Sequence, residues 1–327
     1  DSLCLNRDLF TAISEYAPES EIVADGKLIT SRYVRVLDGY AWPEYNYSTC
    51  SNCQTLNRFL WADEKQKKCR QCGADLTRYY KYIIPKFGFI MENDDPKDVG
   101  MNKPERTYRG SISYIGDGSK IEINNYSVCG KKVIIGTSKM DELAVLNASN
   151  FYLCKSCGFG KIHDNHYDLA IEKPHKKPDG FNCRNTKLYP YSLGHEFKTD
   201  VVLLKFVSEN ISNYEVAWTV LYSLLEGLSR HLCIDRNELS GCLHWYRNDE
   251  FGGLGNYGFV LFDNTPGGAG YVRQLREITT FIGMLQSGKD VVDGCKCGGD
   301  IADTACYSCL CNYYNQKQHD ILQRRYA

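Results

Sequence analysis

Cys50-Ser-Asn-Cys53 is separated by fifteen residues from a second pair of the same spacing, Cys69-Arg-Gln-Cys72. Two cysteines separated by two residues can hold one tetrahedral Zn²⁺ from a tight turn, and a second pair completes its four ligands. A redox-active dithiol would need its pair at the start of a helix after a strand, which neither pair has. We therefore expect a structural zinc ribbon at about residues 48–76, because protein fills all four positions.

A second set of ligands is incomplete in its motif. The pair Cys154-Lys-Ser-Cys157 needs two more ligands, and the loop-like stretch 174–183 offers His175 and Cys183. We expect these four side chains to hold a second Zn²⁺. Three other residues are rivals for a place in this set: His163, His166 and Cys129.

A third set lies at Cys295-Lys-Cys297 and Cys306-Tyr-Ser-Cys309. The Cys-x-Cys spacing is tighter than usual, yet both sulfurs can reach one ion, and Cys311 competes with Cys309. The sequence thus predicts three structural Zn²⁺ ions, each contributing ~10 kcal/mol or more of apparent folding free energy. The remaining cysteines are interpreted as small buried hydrophobes rather than a fourth site: Cys4, Cys129, Cys233, Cys242 and Cys311.

Composition restricts the compartment and the class of partner. The 16 cysteines among 327 residues, without a signal peptide or an apolar membrane-spanning stretch, favour a reducing compartment, and we expect a cytoplasmic protein. The net charge of −1 argues against a strongly basic, free-standing nucleic-acid binder. The chain begins with Asp1 rather than methionine, so a processed chain and a piece of a longer protein are both open.

The hydrophobic pattern predicts an α+β fold in three parts. Residues 1–150 form a β-rich domain that carries the ribbon, 151–194 a zinc knuckle and loop, and 195–327 a β-α-β-β-α module closed by a C-terminal knuckle. Within these parts we expect the following elements: helices at 6–16, 214–232 and 269–286; strands within 21–40 and at 42–47, 78–91, 108–115, 120–126, 131–136, 199–206, 239–247 and 257–263; and a hairpin turn at 116–118.

Catalytic motifs are weak. Gly283–Asp290 resembles a phosphate-binding P-loop, but Asp290 replaces the Mg²⁺-binding Ser/Thr and the segment ends a predicted helix, so we interpret it as a helix C-cap. The turn Gly267–Gly270 could present N–H groups to an anion, although close packing explains it equally well. Four carboxylates could hold Mg²⁺ in a nuclease, or could cap helices and turns: Asp200, Asp235, Glu238 and Asp263.

Basic residues flank the first two cysteine sets. Solvated surface charge is their default interpretation, and phosphate contact is the alternative. The candidates for nucleic-acid binding are Lys65, Lys67, Lys68, Arg70, Lys176 and Lys177.

The run Leu261-Phe-Asp-Asn-Thr-Pro-Gly-Gly-Ala-Gly-Tyr-Val272, followed by the last cysteine set, resembles the MrfA-like zinc-binding domain at the C-terminal end of bacterial DEAD/DEAH-box helicases, which has a relative in a phage-defence protein. The resemblance extends upstream through Leu193–Asp200 and the CxxCG…His…Cys block of the second cysteine set, and more weakly to Glu19–Gly26 and Thr30–Arg32. The eight-residue gap and the Ala-Cys-Tyr-Ser-Cys ending depart from the family pattern and predict a distorted knuckle.

This resemblance implies a non-catalytic accessory region of a superfamily 2 helicase that assists nucleic-acid engagement in DNA repair or phage defence. Its implied partners are DNA and helicase motor domains, in cis or in trans. The chain itself has no recognisable ATPase motif. The alternatives are a protein-docking scaffold in a defence complex and, third, a metal-dependent nuclease.

Overall fold

The computed structural model describes residues 5–60, 67–92, 97–99, 104–105, 107–163, 170–171 and 174–327. Three residues from the sequence predictions lie outside this part of the chain: Cys4, Lys65 and His166.

The described residues have a mixed α and β architecture in which strands predominate, as predicted. The α-helices are Leu9–Glu15 (α1), Tyr214–Leu232 (α2) and Ile278–Gly294 (α3). The strands are Glu21–Ala24 (β1), Lys27–Val34 (β2), Glu44–Thr49 (β3), Leu56–Leu60 (β4), Tyr80–Ile83 (β5), Phe89–Met91 (β6), Lys97–Asp98 (β7), Arg109–Tyr114 (β8), Glu122–Val128 (β9), Lys131–Leu153 (β10), Gly160–His163 (β11), Ala170–Ile171 (β12), Lys187–Phe206 (β13), Leu239–Asn248 (β14) and Leu254–Asp263 (β15).

Two long antiparallel strands, β10 and β13, form the centre of the main sheet. Their pairing runs from Val133 opposite Phe206 to Leu153 opposite Tyr189, with two register shifts. Among the described residues this sheet has eleven strands, and its longest path is β11-β10-β13-β5-β3-β4. The predicted boundaries at 150 and 194 fall inside β10 and β13, which are continuous across them. Because strands of one sheet run across both boundaries, the structure does not mark off three separate parts, and the division stays a prediction.

Helices α2 and α3 pack against each other and join strands of the main sheet in the largest apolar core. Helix α2 begins after Asn213, whose side chain accepts hydrogen bonds from the N–H groups of Glu215 and Val216. The backbones of the two helices are in close contact at Gly227, where an added Cβ would lie 2.2 Å from the carbonyl oxygen of Met284. The buried apolar residues of α2 recur every three or four positions, as an amphipathic helix requires: Ala217, Trp218, Leu221, Leu224, Leu225 and Leu228.

The predicted hairpin turn at 116–118 is wrong. Strands β8 and β9 both pair with β10, and no pairing joins them to each other among the described strands. The hairpin that leads into β10 turns instead at Cys129 and Gly130, which have φ of 49° and 77°. Two positive φ values in a two-residue loop match the right-handed twist of the flanking strands.

The predicted helix at 269–286 is displaced along the chain. The buried carboxylate of Asp263 accepts hydrogen bonds from the N–H groups of Ala269, Tyr271 and Val272, and α3 begins only at Ile278. The interpretation of Gly283–Asp290 as a helix C-cap is therefore wrong, because these residues lie inside α3. A P-loop needs a loop between a strand and a helix, and this helical segment has no such geometry.

Candidate metal centres

The structure brings together the four side chains of each predicted ligand set. In each set the ligand atoms all lie within 4.8 Å of one another. Across the part of the chain that the structure describes, these are the groups of His, Cys, Asp and Glu that could hold a metal ion. They are Cys50, Cys53, Cys69 and Cys72; Cys154, Cys157, His175 and Cys183; and Cys295, Cys297, Cys306 and Cys309.

The separations between sulfur atoms fit zinc. A regular tetrahedron with Zn–S bonds of about 2.3 Å has edges of about 3.8 Å. One Sγ–Sγ distance from each set shows the agreement: 3.6 Å for Cys53–Cys69, 3.9 Å for Cys154–Cys183 and 3.7 Å for Cys297–Cys309. Protein atoms supply every corner, so these sites have the closed character of structural rather than catalytic zinc. The three clusters fit three structural zinc ions.

The three Cys-x-x-Cys turns that start at Cys50, Cys69 and Cys154 share one backbone geometry. In each turn the N–H of the fourth residue after the first cysteine donates to that cysteine's carbonyl, at 2.9 Å. The first cysteine's own N–H donates to the carbonyl five residues later. The fourth residue is left-handed in every case: φ is 57° at Gln54, 74° at Gly73 and 79° at Gly158.

This geometry turns backbone N–H groups toward the first sulfur of a turn. In the second turn the N–H of Gln71 lies 3.4 Å from the Sγ of Cys69. Burial raises the pKa of Cys69, but hydrogen bonds from the N–H groups of Cys72 and Gln71, together with those from the Asn57 and Cys53 side chains, outweigh it and lower the pKa to about 7. The turn thus favours the thiolate, which is the form that binds a metal.

The first cluster belongs to a hairpin. Strands β3 and β4 pair from Tyr45–Leu60 to Thr49–Leu56, and the turn with Cys50 and Cys53 closes them. The second turn is tied to this hairpin by Asn57, whose Oδ1 accepts from the N–H of Arg70 at 2.9 Å. This arrangement agrees with the predicted insert between strands, while its assignment as a zinc ribbon stays a prediction.

The second cluster is completed by His175. Its ring is buried and stacks on Phe159 with centroids 4.8 Å apart, and within the described part of the chain neither ring nitrogen has a nitrogen or oxygen partner, its polar neighbour being the Cys154 thiol. A buried imidazole without a partner is costly unless a ligand such as a metal takes its lone pair. A hydrogen bond from Cys157 lowers the pKa of Cys154 to about 4, which favours a thiolate beside it.

The two rivals for the second cluster that the structure describes lie elsewhere. His163 stacks on Tyr152 with ring centroids 3.9 Å apart and is not in the group. Cys129 is exposed in the turn before β10. The geometry therefore favours His175 as the fourth ligand.

The third cluster starts where α3 ends. Cys295 is the residue after the helix, and its Sγ lies 3.4 Å from Cys297 and 3.6 Å from Cys306. Cys311, the rival of Cys309, is outside the group, and burial raises its pKa to about 11. The Cys-x-Cys turn lacks the hydrogen bonds that the three Cys-x-x-Cys turns share. This agrees with the distorted knuckle expected from its spacing.

Arg324 holds the third cluster from outside, a role that the sequence did not reveal. Its guanidinium donates to the carbonyl oxygens of Cys297, Val292 and Gly299 at 3.0–3.2 Å. Nothing in the sequence around Arg324-Arg325 distinguishes an arginine that binds main-chain carbonyls from an ordinary surface charge.

The remaining cysteines divide into two kinds. Cys242 is buried, and burial raises its pKa to about 12, in agreement with a small hydrophobe. The same interpretation is wrong for Cys129 and Cys233, which are exposed. Cys233 ends α2 in the left-handed conformation, with φ of 54°.

The predicted nucleic-acid residues have different surroundings. Lys67, Lys68 and Lys176 are exposed, and Lys68 forms an ion pair with Asp75 at 2.8 Å. Lys177 is half-buried. The guanidinium of Arg70, by contrast, donates to the carbonyl oxygens of three residues: Tyr114, Ile115 and Gly116. These hydrogen bonds connect the first cluster to the end of β8. They also occupy N–H groups of the guanidinium that would otherwise be available to a phosphate.

The four carboxylates considered for a nuclease have structural partners. Asp263 accepts three backbone hydrogen bonds, and Asp200 pairs with Arg273 at 2.9 Å. Asp235 caps the 3₁₀ turn Arg236–Glu238, and Glu238 accepts from Thr265. Asp263 takes the N–H groups of Ala269, Tyr271 and Val272, and those of Gly267 and Gly268 donate to main-chain carbonyl oxygens, so these groups are not available to an anion. These contacts favour the capping interpretation over a metal-dependent nuclease.

The geometry of the third cluster agrees with a family match. Residues 220–310 match the MrfA Zn-binding domain. The matched segment runs from within α2 through Cys309 and so contains the third cluster, as the sequence resemblance predicted. The first two clusters lie outside it.

Two named proteins are similar to this chain over nearly all of its length. It is 25% identical over 355 residues to the Druantia protein DruE of Escherichia coli (strain UMEA 4076-1), across 96% of this chain and 18% of that protein. The chain therefore spans less than a fifth of this relative's length. A crystal structure of the DUF1998 helicase MrfA bound to DNA aligns with 96% of this chain and 30% of that chain, at 12% identity and a TM-score of 0.42.

Among the described residues, no helix is both long enough and apolar enough to cross a bilayer.

Proposed function

We propose that this chain is a non-catalytic, zinc-stabilised region that helps a superfamily 2 helicase to engage nucleic acid, in DNA repair or phage defence in the cytoplasm. The observation that carries the proposal is the set of three clusters with protein ligands at every corner, one of them inside the MrfA Zn-binding match. Closed zinc sites build structure and leave no position for a reacting water. The twelve clustered side chains are the proposed zinc ligands.

The nucleic-acid part of the proposal rests on local charge, because the net charge is −1. Lys67 and Lys68 are exposed beside the first cluster, and Lys176 is exposed beside His175 of the second. Lysines near a rigid zinc turn can contact phosphates without a large ordering cost. Arg70 is excluded from the proposed contacts because main-chain carbonyls engage its guanidinium.

Binding of zinc-loaded protein to single- and double-stranded DNA across a salt series tests this proposal. Each phosphate contact adds roughly 0.7–0.9 to the slope of log affinity against log salt. The Lys67→Ala, Lys68→Ala double variant should lower the magnitude of that slope by roughly 0.7–1.8, which corresponds to one or two phosphate contacts. Lys132→Ala is a matched control, because Lys132 is also exposed and ion-paired, with Glu250 at 2.6 Å. An unchanged slope in the double variant would reject this patch.

Protein docking is the second candidate, and one edge of the sheet favours it. Among the described strands β9 pairs only with β10, and Ile123 on β9 is 63% exposed. An unpaired edge with an exposed apolar side chain can accept a partner's strand. Ile123→Lys should then weaken binding to separately purified helicase motor domains, and DNA affinity should be absent from the isolated region.

A further inference from the structure

A cleft of about 550 Å³ lies beside the third cluster, between the end of α2 and residues 307–314. Its volume is within the range of roughly 300–1,000 Å³ that ligand sites occupy. We call it the tyrosine cleft and define it by six of its lining residues: Arg230, Arg236, Tyr307, Ser308, Tyr313 and Tyr314.

Three tyrosines on this cleft are exposed although they lie next to a structural metal cluster. Tyr307, Tyr313 and Tyr314 are 68%, 70% and 64% exposed. Single exposed aromatic residues are ordinary, but three of them within eight residues on one cleft form a patch that folding does not explain. Tyr313 and Tyr314 meet edge to face, with an interplanar angle of 86°, and Tyr307 meets His319 in the same way, so none of the three rings is stacked face to face in these contacts and each keeps most of its surface exposed.

The charges of the cleft suit an anionic chain. Arg236 forms an ion pair with Glu226 at 3.0 Å, which neutralises the carboxylate on the cleft wall. Arg230 is exposed and interacts with Glu226 through space, but the close ion pair of Glu226 is made by Arg236. The two arginines and one carboxylate leave the cleft with a net positive charge beside aromatic faces, the pairing by which proteins hold unpaired bases and the phosphates that join them.

We propose that the tyrosine cleft binds a single-stranded nucleic acid, with bases stacked on Tyr307, Tyr313 and Tyr314 and a phosphate against Arg230. This rests on the proposed function and names a site for it. Stacking on exposed ring faces needs bases that are not already stacked in a duplex, which is why the strand is single. The third cluster fixes the segment 306–309, so Tyr307 is presented by a rigid turn.

Fluorescence anisotropy with zinc-loaded protein and three labelled oligonucleotides tests the cleft: oligo-dT, an abasic strand of equal length, and oligo-U. The Tyr313→Ala, Tyr314→Ala double variant should lose about five- to a hundredfold in oligo-dT affinity for each stacked base. The Tyr→Phe pair should retain most of the affinity, because phenylalanine keeps the stacking face. The abasic strand should bind weakly, and equally to wild type and variants. The ratio of oligo-dT to oligo-U affinity assigns the site to DNA or RNA.

Tyr40→Ala is the matched control, because Tyr40 is 67% exposed and is not on the cleft. Equal zinc content and unfolding midpoints show that the variants keep their fold. If wild type binds oligo-dT and the alanine pair binds it equally well, the cleft proposal fails while the proposed function stands. If wild type binds no nucleic acid even at low salt, both fail. If the alanine pair loses as much affinity for duplex DNA as for oligo-dT, the single-strand assignment is overturned.

Discussion

Replacement of Gly158 by alanine perturbs the point at which the second zinc turn docks on the rest of the protein. Gly158 has φ of 79°, and an added Cβ would lie 1.9 Å from the carbonyl oxygen of Val34 on β2. The carbonyl of Gly158 accepts a hydrogen bond from the N–H of Val34 at 2.9 Å. The turn cannot shift to carry the new methyl group away from β2 without losing this hydrogen bond.

The expected cost has two parts. The left-handed conformation costs a residue with a Cβ about 1–2 kcal/mol. The contact with the β2 backbone adds an overpacking cost of about 1–3 kcal/mol, because a main-chain carbonyl cannot rotate away like a side chain. Gly73→Ala isolates the first part: Gly73 holds the same position in the first cluster, with φ of 74°, and has no atom within 4 Å of its added Cβ.

Urea denaturation of both variants in zinc-containing buffer measures the difference. Gly158→Ala should lower the free energy of unfolding by about 1–3 kcal/mol more than Gly73→Ala. Zinc release to a colorimetric chelator should also become faster for one equivalent out of three in Gly158→Ala. Equal losses in the two variants would refute the reasoning, since backbone strain alone would then account for both.

Four further outcomes are expected. Gly227→Ala should destabilise the protein by about 1–3 kcal/mol in urea despite alanine's higher helix propensity, because the Cβ would meet the Met284 carbonyl at 2.2 Å; Gly294→Ala, with nothing within 4 Å, should cost nothing. Asp263→Asn should lose about 1–3 kcal/mol by the same assay, because an amide nitrogen cannot accept N–H bonds, and a neutral result would contradict the capping role. His175→Ala should leave two zinc equivalents by elemental analysis and His175→Cys three, whereas three in both would exclude His175 as a ligand. Excess chelator should lower the urea midpoint and unfold the segments around the three clusters while the paired strands β10 and β13 persist, and an unchanged transition would show that zinc does not stabilise the fold.

The clustering of the proposed ligand side chains could be predicted from sequence because paired cysteines are close in the chain and need recognisable turns. The spacing of Cys50, Cys53, Cys69 and Cys72 leaves one sensible partition into pairs. Helix α2 was predicted at its observed bounds, since a long apolar stripe with a 3.6-residue period has no competing interpretation. The choice of His175 needed more than spacing, and its stacked, buried ring supports it.

The extent of the main sheet could not be read in the same way. Strand β13 was predicted only at 199–206, because Gly194, His195 and Glu196 interrupt its apolar pattern, yet it starts at Lys187. Strand β10 was likewise predicted only at 131–136, because the mostly polar run at 137–142 hid the continuity of that strand. Partners distant in sequence set the lengths of both strands, and periodicity carries no information about partners.

The three clusters lie where elements end, and this position explains their structural role. Cys50 follows β3, Cys154 follows β10 and Cys295 follows α3. Each cluster closes a short stretch of chain, with sulfur contacts that span 22, 29 and 12 residues. Short closures constrain local loops and add little to the joining of distant segments, which the pairing of β10 with β13 achieves. We therefore expect zinc to hold the turns and the surfaces they present, while the long strands hold the sheet. A binding surface next to a cluster, such as the tyrosine cleft, is then the part of the molecule most sensitive to metal loss.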